Sequence, residues 1–434
     1  LDVLIIGAGP HALTLASLLS NPLSLRVVDS YGEWTALWES QFTALNIPHL
    51  RSHTLVHTDP LNKKALQEFV LRQNRSAELH TLPDQVYILD ENAFFNDMRL
   101  GRKERKRLNI TTTLKKSLSF SLPGTKLSVD FFKDQVVVAT GPTRAQMANI
   151  PSWVKGIGES YPEERLQHTV HLMVCEAGQR VMVVGGGLTS AHVVSIALQQ
   201  GASHVTWVMR KHLQLKQFDV GDVESLVGRY SHVEHGIKMD GQAYLRQFYN
   251  ERSLHKRLAM IRRARKGGAV TPEAYVHLRP FIQSGQVDVK TYCEVTEISW
   301  CYRSQAWSLS LSTGHHWTGD KIWLATGCKL DVRQDPLLSE VMKEFPIQAI
   351  DGWPCISESL QWAEECPLYL MGQYTALQVG PHAINLAGAQ AAGMRIAKDI
   401  IYRQQQDGTE VSELSGEKPK TEEYIQQMRG LLWL

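Results

Sequence analysis

The pattern of apolar positions predicts a buried strand, a tight turn and a helix at the start of the chain. VLII at residues 3–6 is a continuous apolar run, as in a strand that is covered on both faces. Residues 11–20, HALTLASLLS, space their apolar side chains as a helix does. A similar pattern returns at mid-chain, where VMVV at residues 181–184 leads through three glycines into TSAHVVSIAL at residues 189–198. This repetition predicts two α/β units of one kind.

Composition and charge narrow the classes of protein that fit this pattern. The chain has 434 residues, 43% of them hydrophobic and 21% charged, which is enough for two or three domains with a sizeable core. A formal net charge of +2 gives no general attraction to nucleic acid or to a membrane surface. No apolar run reaches the length of a transmembrane helix. We therefore expect no nucleic-acid partner, no membrane partner and a cytoplasmic location.

The cysteines and histidines give no pattern of a metal or disulfide site. Six cysteines are scattered through the chain and none forms a C-x-x-C pair, which predicts reduced thiols. His49, His53 and His57 recur every four residues and would share one face of a helix, but no carboxylate or cysteine completes a ligand set. We expect no metal, and we expect these histidines to line a cofactor face or a substrate channel.

The first turn has the G-x-G-x-x-A spacing of a dinucleotide-binding loop. Gly7 permits the tight turn, Gly9 lets the backbone approach a pyrophosphate, and Ala12 lets the helix lie close to the strand. The next predicted strand ends in Asp29, an acid that can bind the hydroxyls of an adenosine ribose. An ordinary turn of an α/β protein is the alternative. We predict an FAD site formed by Gly7, Gly9, Pro10, His11, Ala12, Asp29 and Ser30.

The second glycine turn differs from the first at the residue expected to contact the ribose. Gly185 and Gly187 take the glycine positions and Ser190 takes the small third position. The next predicted strand, HVTWVM, is followed by Arg210 and Lys211 instead of an acid. An acid would repel a 2′-phosphate, whereas arginine pairs with it. Surface charge at a strand end is the alternative. We predict an NADPH site formed by Gly185, Gly187, Leu188, Thr189, Ser190, Arg210 and Lys211.

Two further predicted strands, DQVVVATG and DKIWLATG, end in the same small-residue turn at Gly141 and Gly327. In flavoproteins with two dinucleotide domains such strands mark where the chain crosses between domains, so both glycines are predicted cofactor contacts. One precedes and the other follows the second glycine turn. The predicted fold class is therefore α/β, with two Rossmann-like dinucleotide-binding domains and the NADPH domain inserted into a discontinuous FAD domain.

The domain boundaries follow from these motifs. We predict the two parts of the FAD domain at residues 1–150 and 325–403, and the NADPH domain at residues 151–324. The NADPH domain is predicted to contain a helical insertion at about residues 212–285, which is rich in helix formers. Residues 404–434 are predicted to form a polar tail whose last residues have the pattern of a helix.

Together these motifs resemble those of flavin-containing monooxygenases, and especially of the lysine and ornithine N-hydroxylases. The resemblance rests on GAGPHA, the two ATG strands, GGGLTS with Arg210, and MGQYTALQVGPHAINLAGAQAAGMRIA at residues 371–397. It implies that a helix in this late segment points its amino terminus at the flavin pyrimidine ring, near Gly380, Pro381, Asn385 and Leu386. By the same resemblance Asn46 lies beside the oxygen adduct of the flavin. Arg51 stands near the position of a lysine in the N-hydroxylases.

The resemblance implies an NADPH-dependent FAD monooxygenase. Its reduced flavin would capture molecular oxygen as a C4a-hydroperoxide that attacks a small molecule with a nucleophilic nitrogen or sulfur. Asn385, Asn46 and Arg51 are the catalytic candidates. An NADPH oxidase or dehydrogenase without oxygenation, and a non-catalytic redox sensor that binds FAD and NADPH, are the alternatives. The oligomeric state stays open, a homo-oligomer included.

Two strongly basic segments, residues 99–108 and 257–268, have no assigned chemistry. Either could bind polyanions, but a solvated helix or loop is the simpler interpretation. The second segment lies in the stretch 212–290, the region that related enzymes use as a lid over the substrate or as a subunit contact. Structural padding is the alternative for this stretch.

Overall fold

The computed structural model gives a mixed α/β protein with two parallel sheets. The structure describes residues 2–20, 23–29, 31–44, 49–53, 57–62, 64–76, 80–81, 86–90, 118–122, 125–129, 135–141, 148–158, 160–171, 173–215, 241–265 and 268–412. The basic segment 99–108 lies outside these residues.

Strands and helices are numbered here in chain order. The strands are β1 (Val3–Ile6), β2 (Leu25–Val28), β3 (His49–His53), β4 (His80–Thr81), β5 (Val86–Asp90), β6 (Leu118–Leu122), β7 (Thr125–Val129), β8 (Gln135–Val138), β9 (Leu166–His168), β10 (Arg180–Val184), β11 (His204–Val208), β12 (Gln214–Leu215), β13 (Ala269–Val270), β14 (Val287–Lys290), β15 (Val295–Cys301), β16 (Ala306–Leu311), β17 (His316–Gly319), β18 (Lys321–Leu324), β19 (Ala349–Ile350), β20 (Trp353–Pro354), β21 (Gln361–Ala363) and β22 (Cys366–Leu370). The helices are α1 (Pro10–Leu19), α2 (Ala36–Ala44), α3 (Ala65–Arg72), α4 (Ser152–Lys155), α5 (Leu188–Gln199), α6 (Gly241–Asn250), α7 (Leu254–Ala264), α8 (Pro272–Gln283), α9 (Leu338–Glu344), α10 (Ala376–Val379) and α11 (Leu386–Ser412).

The first sheet combines strands from both ends of the chain. Its order is β2-β1-β8-β22-β21, and only β21, at the edge, is antiparallel to its neighbour. All four residues of β1 are buried, as the continuous apolar run predicts. Helix α1 packs against α11, where Gly393 leaves room for Leu18 and Thr14. The core of this unit therefore lies between the parallel strands and these two helices.

The second sheet contains only parallel strands, in the order β14-β11-β10-β18-β9. Helices α5 and α8 contribute to the core on one face of this sheet, against the buried indoles of Trp207 and Trp323. The other face packs against the antiparallel sheet β15-β16-β17, whose core contains Trp300, Trp307 and Trp317. In the described part of the chain, no helix is both long and apolar enough to cross a membrane.

The helical insertion is divided between the two units. Helices α6 and α7 bury Phe248, Leu258 and Ile261 in the core of the first unit, whereas α8 buries Leu278 in the core of the second. The sequence predicts one insertion within the NADPH domain. The structure differs because Leu258 and Ile261, three positions apart in α7, form an apolar stripe that packs on the first unit.

The predicted fold class is confirmed. The second sheet is formed by residues 166–324, between the strands of the first sheet that precede residue 139 and those that follow residue 360. Helix α11 continues to Ser412, into the segment predicted as the polar tail. The glutamines at 404–406 are good helix formers, so this polar segment can continue a helix.

Candidate functional site

The first glycine of each turn is pressed against the end of a neighbouring strand. Gly7 has a φ of +108°, and a Cβ built there would lie 2.5 Å from the carbonyl oxygen of Ala139. Gly185 has a φ of +146°, and a Cβ there would lie 2.2 Å from the carbonyl oxygen of Ala325. Trp207 supports the second turn by donating its indole N–H to the Gly185 carbonyl (2.7 Å). Each ATG segment is thus the surface on which a glycine turn packs, and only glycine fits there.

The second glycine of each turn faces open space at a helix amino terminus. Gly9 and Gly187 have extended backbones directly before α1 and α5. No atom lies within 4 Å of a Cβ built on either glycine, and no side chain of the described residues caps either helix. Free N–H groups and the helix dipole favour an anion at such an end. Both turns therefore fit a pyrophosphate.

Asp29 fixes the first turn from the end of β2. Its carboxylate accepts the backbone N–H of Ala8 (2.9 Å) and that of Tyr31 (2.8 Å). Ala12 is fully buried, so the helix lies close to the strand as its small side chain predicts. The sequence does not reveal that Asp29 holds the turn itself. A contact between Asp29 and an adenosine ribose stays a prediction.

A cavity of about 1650 Å³ lies over the second turn. Gly185 and Gly187 line one side of it, and Arg210 and Lys211 line another with exposed side chains. Gly268, from within the helical insertion, also contributes to the wall. The cavity is large enough for a dinucleotide, and its cations suit a phosphate. These residues fit an NAD(P) nucleotide.

Two chain segments that connect the sheets are hydrogen-bonded to each other beside this cavity. Asn149 donates its backbone N–H to the Gly327 carbonyl (2.9 Å), and Thr326 donates its hydroxyl to the Asn149 carbonyl (2.6 Å). His168 accepts the Val170 N–H at Nδ1 (3.2 Å), so its Nε2 carries the proton and donates to the Gly327 carbonyl (3.0 Å). Burial lowers the pKa of His168. A neutral imidazole therefore holds the second ATG turn.

Side chains from the helical insertion and from α11 hold residues 377–381, just before the segment predicted to face the flavin. Arg257, which is 9% exposed, makes the deepest of these contacts and also binds the Gln378 side chain (2.9 Å). Four side chains donate to backbone carbonyl groups of this segment: Arg257 to Leu377 (3.1 Å), Arg395 to Gln378 (3.1 Å), Tyr249 to Val379 (2.8 Å) and Arg265 to Pro381. Arg257 and Arg265 belong to the basic segment 257–268, so these two arginines bind protein and not a polyanion.

His382 and Asn385 lie between this segment and α11. His382 is 3% exposed, and burial, with the charges of Arg265 and Arg395, lowers its pKa to about 3. Its imidazole is therefore neutral. Asn385 Oδ1 accepts the Gly388 N–H (3.1 Å), which caps the amino terminus of α11. The cap uses the oxygen of the Asn385 amide and leaves its nitrogen for another partner.

Three buried polar atoms without hydrogen-bond partners lie on or near α1 and the start of α11. Among the described residues these atoms include Nδ1 of His11, Oγ1 of Thr58 and Nδ1 of His382. The Thr58 carbonyl accepts from the Ser17 hydroxyl (2.9 Å), which places Thr58 beside α1. Burial lowers the pKa of His11 to about 4. Since buried polar groups are normally paired, these atoms fit a polar ligand such as FAD at the first turn.

The predicted site residues fall into two described groups. One group follows the strands of the first sheet or begins α11: Gly7, Gly9, Pro10, His11, Ala12, Asp29, Gly141, Gly380, Pro381, Asn385 and Leu386. The other follows the strands of the second sheet or begins α5: Gly185, Gly187, Leu188, Thr189, Ser190, Arg210, Lys211 and Gly327. Ser30 and Asn46 lie outside the described residues. Arg51 belongs to β3, but its side chain is not described.

The three histidines with four-residue spacing do not share a helix. His49 and His53 are the ends of strand β3, and His57 follows it. The His57 carbonyl accepts from Gln390 of α11 (2.8 Å) and its Nδ1 accepts the Asp59 N–H (3.2 Å). Within the described residues, no group of three or more histidine, cysteine or acidic side chains is arranged to hold a metal ion.

The fold and the two turns define a class of oxidoreductase that uses two dinucleotides. The sequence pattern of the pyridine nucleotide-disulphide oxidoreductase family matches residues 1–266 of the 434, and the chain belongs to this family. It is therefore an enzyme that uses FAD and a nicotinamide nucleotide, as the sequence predicts. No curated protein sequence matches the chain at a significant level.

Solved structures of hydroxylases share this fold. An ornithine N-hydroxylase from Kutzneria sp. 744, with reduced FAD, NADP⁺ and L-ornithine, is 15% identical, with a TM-score of 0.66 over 93% of this chain and 99% of that chain. An ornithine hydroxylase from Pseudomonas aeruginosa is 16% identical, with the same TM-score and coverage. L-lysine 6-monooxygenase from Pseudomonas syringae is 14% identical, with a TM-score of 0.60 over 92% and 99%. The predicted resemblance to this group of flavoproteins is confirmed at the level of the fold.

Proposed function

We propose that the protein is an NADPH-dependent FAD monooxygenase that hydroxylates a nitrogen or sulfur atom of a small molecule. The observation that supports the proposal is a pair of glycine turns suited to dinucleotides, in a chain whose six cysteines form no redox-active pair. All six cysteines lie in described residues, all are free thiols, and none precedes Cys175. Cys328 lines the large cavity as an exposed residue, but partial desolvation raises the pKa of its thiol, which disfavours the reactive thiolate. Disulfide reduction is therefore a poor fit.

A primary amine is the proposed substrate class. The three solved structures described above are named as ornithine or lysine hydroxylases, and a neutral amine is a nucleophile of the kind that this reaction needs. In the balanced reaction one amine, one NADPH, one proton and one molecule of oxygen give one hydroxylamine, one NADP⁺ and one water. Bound FAD supplies the transfer of electrons from NADPH and the activation of oxygen.

In that reaction the residues of this chain bind the cofactors, orient them and exclude water from the site. The N–H groups at the start of α1 and α5 would hold the two pyrophosphates. Asp29 stabilises the conformation of the first turn through its hydrogen bond to Ala8. The amide nitrogen of Asn385, which the cap does not use, would be available to donate to the flavin or to the nicotinamide. The neutral His382, buried behind the segment 377–381, adds a polar atom without adding charge. Fixed donors of this kind need no reorganisation when charge develops.

A coupling experiment tests the proposed reaction. The purified protein is expected to show a flavin absorbance, and NADPH oxidation is to be followed with oxygen uptake across a panel of amines and thioethers. We expect one substrate to give nearly one hydroxylated product per NADPH. Formation of hydrogen peroxide alone with every compound would identify an oxidase instead, and absence of any NADPH oxidation would leave a redox sensor.

Arg210→Ala is expected to weaken the use of NADPH about tenfold to a hundredfold and to leave the use of NADH nearly unchanged. Loss of a charge-assisted hydrogen bond costs about 1.5–3 kcal/mol, and only NADPH carries the 2′-phosphate. The measurement is the Michaelis constant for each nucleotide. Arg180→Ala, at the opposite end of the second sheet, is the control. Equal effects of the Arg210 change on both nucleotides would show that Arg210 does not bind the 2′-phosphate.

Asn385→Ser is expected to fold and to bind FAD, but to waste NADPH as hydrogen peroxide. Serine keeps an oxygen that can cap α11 and removes the amide nitrogen, so the change separates the two roles of the side chain. We expect coupled product to fall about tenfold, as for loss of one hydrogen bond at the reacting centre. Asn385→Leu removes the cap as well and should also cost about 1 kcal/mol of stability. Unchanged coupling in the serine variant would leave Asn385 as a helix cap alone.

A further inference from the structure

The carboxyl edge of the second sheet brings together polar side chains that no motif includes. Strands β11 and β14 are parallel neighbours, with Val208 paired to Lys290 at their ends. The segments that follow them remain in contact, because Tyr292 donates its backbone N–H to the Lys211 carbonyl (3.4 Å). His212 therefore lies next to Tyr292, at the edge of a parallel sheet where nucleotides bind. His212 follows Lys211 in the chain, and the Tyr292 backbone contacts Lys211 beside the cavity, which Cys293 lines and Tyr292 itself does not.

Two hydrogen bonds connect the side chains of Gln214, His212 and Tyr292. The Gln214 amide nitrogen can only donate, so His212 Nε2 accepts from it (3.2 Å). With Nε2 as the acceptor, the imidazole carries its proton on Nδ1 and donates to the Tyr292 hydroxyl oxygen (3.2 Å). The hydroxyl hydrogen of Tyr292 has no acceptor among the described residues. His212 and Gln214 line the large cavity together with Arg210 and Lys211.

The backbone of Tyr292 is in a conformation that is unfavourable for a residue with a large side chain. Its φ of +52° lies in the left-handed region, which large side chains rarely adopt. Tyr292 is 67% exposed, so burial of its aromatic ring contributes little to the stability of the fold. The centroid of its ring lies 6.1 Å from that of the His212 ring, with 32° between the two planes, so the two rings are tilted neighbours. An exposed and strained aromatic residue at a nucleotide-binding edge is typical of a functional position.

We propose that Tyr292 is the adenine platform of the nicotinamide nucleotide site, and that its hydroxyl, oriented by His212 and Gln214, donates to the 2′-phosphate. The ring face stacks on the adenine, which NADPH and NADH share. The hydroxyl adds a donor to the charges of Arg210 and Lys211, and only NADPH uses it. This inference rests on the proposed use of NADPH, but it concerns binding and not the oxygenation step.

Two variants of Tyr292 separate these roles without endangering the fold. Tyr292→Gly removes both the ring and the hydroxyl, and glycine is the residue best suited to a φ of +52°. Tyr292→Phe keeps the ring and removes the hydroxyl alone. Tyr402→Ala removes another exposed tyrosine, on α11 of the first unit, and serves as the control.

The test is calorimetric titration of the FAD-loaded protein with NADP⁺ and with NAD⁺, which requires no turnover. Tyr292→Gly is expected to weaken both nucleotides by about tenfold or more, as for loss of one base–aromatic stack. Tyr292→Phe is expected to weaken NADP⁺ about tenfold and to leave NAD⁺ unchanged. The Tyr402→Ala control should bind both nucleotides as the unmodified protein does.

The outcomes distinguish this inference from the proposed function. Unchanged affinities in Tyr292→Gly would overturn the platform, and equal losses of NADP⁺ and NAD⁺ in Tyr292→Phe would overturn the phosphate contact. Failure of the unmodified protein to bind either nucleotide would overturn both the inference and the proposed function. Normal nucleotide binding without hydroxylation of any substrate would overturn the proposed function alone.

Discussion

A Gly9→Asp variant is expected to fold normally and to purify without FAD. Gly9 has an extended backbone that any residue can adopt, and no atom lies within 4 Å of the position of a new Cβ. Aspartate is also a favoured residue before the first turn of a helix, so α1 should gain up to about 1 kcal/mol. The same carboxylate would compete with the FAD pyrophosphate for the free N–H groups of α1. It would also repel the pyrophosphate, since two unit charges about 4 Å apart interact by about 4 kcal/mol at an effective dielectric constant of about 20.

That repulsion corresponds to roughly a thousandfold in affinity. The measurement is the ratio of flavin absorbance to protein absorbance after purification, followed by titration of the apoprotein with FAD. Gly9→Ala adds size alone, and Gly9→Asn adds a neutral side chain of nearly the same shape as aspartate. We expect the affinity for FAD to fall in the order glycine, alanine, asparagine, aspartate. A yellow aspartate variant with normal flavin content would show that the first turn does not bind the pyrophosphate.

A Gly185→Ala variant is expected to lose stability rather than affinity. A residue with a side chain at a φ of +146° is strained by about 1–3 kcal/mol. Its Cβ would also lie 2.2 Å from the Ala325 carbonyl oxygen, a backbone atom that no side-chain rotation can move. The second sheet would have to separate where β10 and β18 end. We expect a loss of at least about 4 kcal/mol, which is exceptional for a single substitution.

Gly187→Ala is the matched control, because it adds the same methyl group two residues later into open space. We expect Gly185→Ala to lower the Tm of the second unit by about 10 °C, and Gly187→Ala to leave it within a few degrees. The alanine at 187 should instead weaken NADP⁺ binding, because the methyl group stands where the backbone approaches the pyrophosphate. The interpretation of the two glycines would be reversed if Gly185→Ala melted normally and Gly187→Ala did not.

The sequence predicts those parts of the fold that depend on local pattern and spacing. The runs VLII and VMVV, the G-x-G turns and the ATG strands each encode a strand, a turn or a crossing within about twenty residues, and their order along the chain gives the nesting of the two units. Gly7 and Gly185 could be assigned to tight turns for the same reason. Their packing against Ala139 and Ala325 could not, because it joins segments more than a hundred residues apart.

The contacts made by the helical insertion were beyond prediction for a related reason. A basic segment such as RLAMIRRARKGG has the composition of a solvated surface, and nothing in its pattern shows that Arg257 and Arg265 reach carbonyl groups of residues 377 and 381. The partners are backbone atoms, which every residue has, so the sequence does not identify them.

Asn385 illustrates the same limit, since a helix cap and a flavin contact require the same residue type at the same position. His212 and Tyr292 lie eighty residues apart and match no motif, although their proximity follows once β11 and β14 are known to be neighbours.

Synthesis on the ribosome completes the two sheets in the reverse of their order along the chain. All five strands of the second sheet exist once Leu324 has been made, whereas β22, which lies between β8 and β21, arrives only with residues 366–370. Until then β8 presents an unpaired, apolar edge, and such an edge invites pairing with another chain. The inserted unit can therefore complete its sheet first, whereas the sheet of the strands made earliest stays incomplete until the carboxyl-terminal part of the same polypeptide is made. If translation stalls between residues 325 and 365, the nascent chain contains all strands of the second sheet, but strand β8 of the first sheet still has an unpaired edge.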